Sequence, residues 1–178
     1  GLHRQERGKS NETTPLRILV TALGGEGGGV LMNWIVAAAR AAEHEVQATS
    51  VPGVAQRTGA TSYYIEVAPK GLSSAVLGLV PMPGRVDVLI SSELAETARV
   101  MSNGFVSPKL TTVISSTART YSIAEKVAMG DGRYRNDSIL KAVEAMSKSS
   151  FMLDLGALAT EKGTFVSATM FGAVAGSG

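Results

Sequence analysis

Residues 16–42 most restrict what this chain can fold into. "LRILVTAL" is a short β-branched run suited to a buried strand, and it passes through "GGEGGG" directly into "VLMNWIVAAARAAEHE". In that last run Leu31, Ile35, Ala38 and Ala42 recur at helical spacing, with Val30, Trp34 and Ala37 alongside, so it reads as an amphipathic helix. Glycine fills five of the six positions from Gly24 to Gly29. Glycine is the residue with most freedom to lose on folding, so such a cluster implies a turn or a close backbone approach.

The strand-then-helix pattern returns downstream. "EVQATSV" and "TSYYIEVA" read as strands; in the second, Ser62, Tyr64 and Glu66 alternate with Tyr63, Ile65 and Val67, which predicts one exposed face. "VDVLISS" reads as a buried strand feeding the helix "ELAETARVMSN", with Ser91 or Ser92 placed to cap it. "TTVISS" repeats the strand pattern. "SILKAVEAMSKS" is helical after a cap-like Asp137, "FMLDL" is a short strand, and "GALATEKG" is a helix stopping at Gly163. Strands alternating with helices imply parallel pairing through right-handed crossovers. The expected fold is a single α/β domain: a doubly wound, Rossmann-like, mostly parallel sheet with helices on both faces. Trp34 is expected in the core, and His44 at a helix end in a solvated or capping role.

Residues 1–15, "GLHRQERGKSNETTP", are polar and aperiodic and read as a disordered tail or tag remnant, leaving 16–178 as the domain. The formal net charge is +2, and Arg4, Arg7, Lys9 and Arg17 outnumber Glu6 and Glu12 near the start. The remainder is nearly balanced, so no basic stripe marks a nucleic-acid surface. The terminal "TFVSATMFGAVAGSG" is too short and too rich in small polar residues to span a membrane, and no signal peptide is evident. The expectation is a soluble cytoplasmic protein, and the abrupt end at Gly178 reads as that of a fragment of something longer.

The chain has no cysteine, which removes disulfides, thiolate nucleophiles and thiolate-held zinc or iron–sulfur centres. Its two histidines, His3 and His44, have no context for a metal site or a Ser-His-Asp triad. The glycine stretch occupies the place of a dinucleotide fingerprint. However, the best alignment puts Ala22 at the first glycine, with Gly24 and Gly27 following, and sets the Glu26 carboxylate inside the loop. The second strand, ending "ATSVPG", carries no acid to grip a ribose. A free-standing dinucleotide- or nucleotide-binding module is therefore the alternative rather than the leading reading.

A second unusual stretch, "SVPGVAQRTGATSYY", falls at the next crossover and presents Gln56 and Arg57 between Gly53 and Gly59. Arginine offers a planar fork of donors for carboxylate or phosphate. "MGDGRYRND" invites comparison with the thiamine diphosphate signature, but no asparagine follows Asn136, so Gly130, Asp131 and Gly132 read as a turn.

Taken together, "LGGEGGGVLMNWIV", "TSVPGVAQRTGATSYYIEV", "VDVLISSEL", "EKVAMGDGR" and "VSATMFGAVAGSG" resemble the gamma-type domain of 2-oxoacid:ferredoxin oxidoreductases (the pyruvate/ketoisovalerate oxidoreductase family). Within it the chain looks most like the beta subunit of indolepyruvate ferredoxin oxidoreductase. The resemblance runs from about Leu16 to Gly178. It implies an accessory domain of an enzyme that oxidatively decarboxylates a 2-oxoacid to an acyl-CoA and passes electrons to ferredoxin. Thiamine diphosphate and iron–sulfur clusters would lie on a large catalytic partner subunit, with no catalytic or metal-binding residue on this chain. The matched positions are Gly24, Gly25 and Gly27 in the first loop and Gln56, Arg57, Thr58 and Gly59 in the second, facing the partner's active site. The family usually carries glutamine where this chain has Glu26.

Overall fold

The computed structural model describes residues 14–51, 59–71, 76–118 and 132–178, with backbone alone at 132–135. In chain order the elements are β1 (Leu16–Leu23), α1 (Gly28–Ala41), β2 (Val46–Val51), β3 (Ala60–Val67), β4 (Val88–Ser91), α2 (Leu94–Ser102) and β5 (Thr112–Ser116). They continue with α3 (Gly132–Met146), β6 (Ser149–Leu153), α4 (Leu155–Glu161) and α5 (Val166–Gly176). Six strands form one sheet in the order β2-β3-β1-β4-β5-β6.

The doubly wound reading holds, with one refinement. Strands β1, β4, β5 and β6 run parallel, but β3 lies antiparallel to both β1 and β2. No helix separates β2 from β3 in sequence among the described residues, so the two pair directly as antiparallel neighbours. Strand β3 therefore sits between β1 and β2, and the β1–α1–β2 crossover spans it.

Strand β1 is buried on both faces, with Leu19 and Val20 each fully inaccessible. Ile18 and Val20 pack with Leu31 and Ile35 of α1, Leu155 of α4 and Met170 of α5 on one side. Leu19 packs with Val100 and Met101 of α2 and Val143 of α3 on the other. Continuous apolar runs are what such doubly covered strands require.

Several local expectations are corrected. Ser62, Tyr64 and Glu66 of β3 are buried rather than exposed. The Tyr64 hydroxyl donates to Glu66 Oε1 at 2.5 Å, and the Gly78 amide donates to Glu66 Oε2 at 2.7 Å. The Thr49 hydroxyl donates to the Leu79 carbonyl at 2.6 Å, so the segment around Gly78 is tied across the polar face of the β2–β3 pair. Neither Ser91 nor Ser92 caps α2: its cap is Glu93, whose carboxylate accepts from the Glu96 amide at 2.9 Å. Ser91 instead donates to the Glu93 carbonyl at 2.7 Å. Asp137 lies inside α3, which starts at Gly132. Trp34 stays 39% exposed and meets Phe171 edge-on, ring centres 5.9 Å apart, at the surface seam of α1 and α5. The His44 ring Nδ1 lies 2.8 Å from the Ala68 carbonyl, pinning the chain after α1 to the end of β3.

Candidate functional site

The carboxyl end of β1, the start of α1 and the start of β3 enclose a shallow cleft of about 290 Å³. Its walls are Ala22, Leu23, five glycines from Gly24 to Gly29, Val30, Thr61 and Tyr63. Strand register creates it, because Leu23 pairs with Ala60 and Ala22 with Thr61, which brings the turn before α1 beside the segment before β3. The Gly24 amide then donates to the Gly59 carbonyl at 3.1 Å. Gly24, Gly25, Gly27 and Gly59, expected on one wall, are thus gathered at one rim. Gln56, Arg57 and Thr58 lie outside the described residues.

Each inner glycine has a packing reason. Gly27 caps α1 in the left-handed region (φ 77°), and a Cβ there would stand 3.0 Å from the Ser167 side chain of α5. At Gly28 it would come within 2.8 Å of the Ala22 Cβ and 3.1 Å of the Tyr63 ring; at Gly29, within 3.2 Å of the Tyr63 hydroxyl. The first turn of α1 is therefore seated on Tyr63. The first helical bond, from the Leu31 amide to the Gly27 carbonyl at 2.9 Å, leaves the amides of Gly28, Gly29 and Val30 with no partner inside the helix. The sequence marks Tyr63 only as one face of a strand. Its role against the glycines depends on a pairing across β1 that no local pattern announces.

Glu26 is not among the cleft walls. Its Oε2 accepts a hydrogen bond from the Ser92 hydroxyl, which in turn accepts from the Leu23 amide at 3.1 Å. The glutamate thereby ties the glycine turn to the β4–α2 junction. Among the described residues the cleft walls offer hydroxyls from Thr61 and Tyr63 and no carboxylate, imidazole or amine.

Behind the rim lies a buried polar chain. The Ser62 hydroxyl donates to Thr21 Oγ1 at 3.5 Å, and Thr21 donates to Glu96 Oε2 at 3.2 Å. Arg99 Nε and Nη2 both bond that same oxygen. Burial, reinforced by the bond to Glu66, holds the Tyr64 phenol well above its ordinary range, so Tyr64 stays protonated.

A thiolate-held iron–sulfur cluster does not fit this chain, which has no cysteine. Among the described residues no three His, Cys, Asp or Glu side chains group to hold a metal ion. Of "GDG", Gly130 and Asp131 lie outside the described residues and Gly132 opens α3. No helix among the described residues is long and apolar enough to cross a membrane.

Fold and site together define an open doubly wound α/β domain with a glycine-walled cleft at the carboxyl edge of its central strand. The chain belongs to the pyruvate ferredoxin/flavodoxin oxidoreductase family, whose sequence model matches residues 17–178. Its fold is similar to that of pyruvate oxidoreductase subunit PORC from Thermotoga maritima, with TM-score 0.56, 15% identity, and 90% of this chain covering 75% of that one. The gamma subunit of a keto/oxoacid ferredoxin oxidoreductase from Geobacter sulfurreducens gives TM-score 0.52 at 10% identity, over 86% of this chain and 70% of that one. A 2-oxoglutarate:ferredoxin oxidoreductase from Magnetococcus marinus gives 0.53 at 15% identity, over 88% of this chain but 23% of that one. No curated protein sequence matches significantly.

Proposed function

We propose that this chain is the gamma-type domain of an indolepyruvate-type 2-oxoacid:ferredoxin oxidoreductase. It docks its glycine rim against a large catalytic subunit that carries thiamine diphosphate and iron–sulfur clusters. The bound groups supply decarboxylation and electron transfer to ferredoxin, with the acyl group leaving on coenzyme A. This chain contributes shape, exclusion of water and, through Arg57, a positive charge near an anionic group of substrate, coenzyme A or cofactor. Residues 16–178 form the working domain, and the assembly acts in the cytoplasm. The observation that supports the reading is the Gly24–Gly59 backbone bond, which brings the residue closing the second unusual stretch onto the glycine turn, beside a cleft whose described walls hold no acid or base. Co-purification with a thiamine- and cluster-bearing chain, followed by cofactor analysis and a ferredoxin-reduction assay across 2-oxoacids, tests it. A chain that works alone, or a partner without those cofactors, overturns it.

A nucleotide-binding module is the second reading, favoured by the open amides at the start of α1. The interposed β3 counts against it. The strand that would present a ribose-binding acid lies one strand further from β1, roughly 4.8 Å, and carries no acid. Calorimetric titration with NAD, NADP, FAD and ATP separates the two: micromolar binding by this chain favours the module.

A further inference from the structure

Strand β6 ends the sheet: β5 pairs with its inner edge, and no strand among the described residues pairs with its outer one. The Lys148 amide donates inward to the Thr111 carbonyl at 2.9 Å. The ladder sets the phase: the Thr112 amide turns away to the Asp87 carbonyl, and the Thr117 amide bonds the Leu153 carbonyl at 2.9 Å. In the Thr112–Ser149 register, Ser149, Phe151 and Leu153 therefore turn inward, while Ser150 and Met152 direct both amide and carbonyl outward. Residues 149–153, "SSFML", hold no proline, glycine or charge, the usual guards of a free edge. Phe151 and Leu153 stay 39% and 46% exposed.

We infer that this edge pairs with the same edge of a second copy of this chain, antiparallel about a two-fold axis through Phe151, so that two six-stranded sheets become one. The charges flanking the strand select that partner and register. Lys148 precedes β6 and Asp154 follows it; both are exposed. Lys148 forms no ion pair among the described residues. Asp154 uses Oδ1 to accept from the Ala157 amide at 2.9 Å and keeps its other oxygen for a cation. With Phe151 facing its counterpart, Ser149 faces Leu153 and Lys148 faces Asp154, twice over by symmetry. Shifting the register by one pair breaks both charge contacts, and parallel pairing would set lysine beside lysine. A pattern that is its own complement when reversed is what an isologous contact requires. The outward-facing amides and carbonyls also fall in phase, so Ser150 of each copy exchanges both backbone bonds with Met152 of the other, and the two Phe151 residues meet as the non-hydrogen-bonded pair between them.

The absence of cysteine makes the test direct. In a non-hydrogen-bonded antiparallel pair the two Cα atoms stand about 4.5 Å apart, within the roughly 4.4–6.8 Å that a disulfide spans. Phe151→Cys should therefore form a disulfide-linked dimer under mild oxidation. Ser150→Cys, facing Met152 with its own copy on the longer diagonal, should do so about tenfold more slowly or not at all. Sedimentation velocity on the unmodified chain should show a concentration-dependent dimer. Phe151→Lys and Lys148→Glu should each raise its dissociation constant about tenfold or more, the first by setting like charges on the axis. The proposal is overturned by a strict monomer, by a dimer indifferent to these substitutions, or by the thiol of the Phe151→Cys variant linking to a catalytic partner rather than to its copy. Slow amide exchange at Ser150 and Met152 in a monomer, meaning the chain covers its own edge, also overturns it.

Discussion

The Gly24 amide donates a 3.1 Å hydrogen bond to the Gly59 carbonyl, so the turn leaving β1 and the segment entering β3 share one backbone contact. The two glycines meet that contact under different constraints. Gly59 holds φ at +73°, whereas a Cβ on Gly24 would find only the Gly59 carbonyl, at an ordinary 3.5 Å. Gly59→Ala should therefore cost about 1–2 kcal/mol of stability through its left-handed backbone, and Gly24→Ala only a few tenths. Urea unfolding of the two variants checks the ranking; equal losses would mean that the shared bond, not the backbone angle, governs the rim.

The start of α1 tolerates still less. A Cβ at Gly28 would press on Ala22 of the central strand and on the Tyr63 ring, and Ala22 has no rotamer through which to yield. Gly28→Ala should cost about 1–3 kcal/mol, as overpacking does. Gly27→Val adds a branched side chain at φ +77° against Ser167 and should impair folding or assembly outright. Tyr63→Ala combined with Gly28→Ala should recover part of the first loss in the same unfolding assay. No recovery would place the strain on Ala22 alone.

How much of this was legible in the sequence can be argued residue by residue. Strands β1, β4 and β5 were visible because burial on both faces writes them as continuous apolar runs, and the glycines between β1 and α1 announced a close approach. What approaches was not visible: Tyr63 and Ser167 reach those glycines through pairing and packing that carry no local signal. Ser62, Tyr64 and Glu66 misled for the same reason. Alternating polar residues look solvated, yet Ser62 meets Thr21 on the neighbouring strand, Glu66 accepts from the Gly78 amide, and Tyr64 bonds Glu66 beside it, so all three are satisfied inside. The pairing of the two unusual loops was legible as far as Gly59; the strand inserted between β1 and β2 was not.

The buried carboxylate of Glu96 leans on Arg99. Arg99 Nε and Nη2 both bond Glu96 Oε2, while Glu96 Oε1 and Arg99 Nη1 are buried without a hydrogen-bond partner. Arg99→Met strips the only cation bonded to that carboxylate among the described residues. It should cost about 3 kcal/mol, since a buried charge is left uncompensated. Adding Glu96→Gln should restore part of it. A double-mutant cycle measures the coupling, and strict additivity would show that the two side chains act independently.

Tyr64 sets an alkaline limit. Its phenol titrates above the ordinary value near 10 in the folded chain, chiefly through burial and then through Glu66. Above that value the unfolded chain binds fewer protons than the folded one, so stability declines as pH rises. Below it, the contribution is fully present. Tyr64→Phe should flatten stability against pH above about 10, while phenolate absorbance in the parent should gain one tyrosine only as the chain unfolds. An unchanged slope in the variant would remove Tyr64 from the account.

Arg57 is the residue on which the docking reading can be tried most sharply. It stands two positions before Gly59, whose carbonyl is bonded to the glycine turn at the rim of the cleft. A guanidinium there would lend a charge-assisted bond to an anionic group, worth about 1.5–3 kcal/mol. Lost from the reaction alone, that corresponds to roughly a ten- to hundredfold fall in kcat/KM of the assembled enzyme. Arg57→Ala should show that fall with an unchanged melting temperature and unchanged co-purification with the catalytic subunit. Arg57→Lys should recover only part of it, because a point charge lacks the planar fork. If melting temperature collapses in the alanine variant, Arg57 supports the fold; if activity and assembly are both untouched, the rim faces something other than the reacting centre.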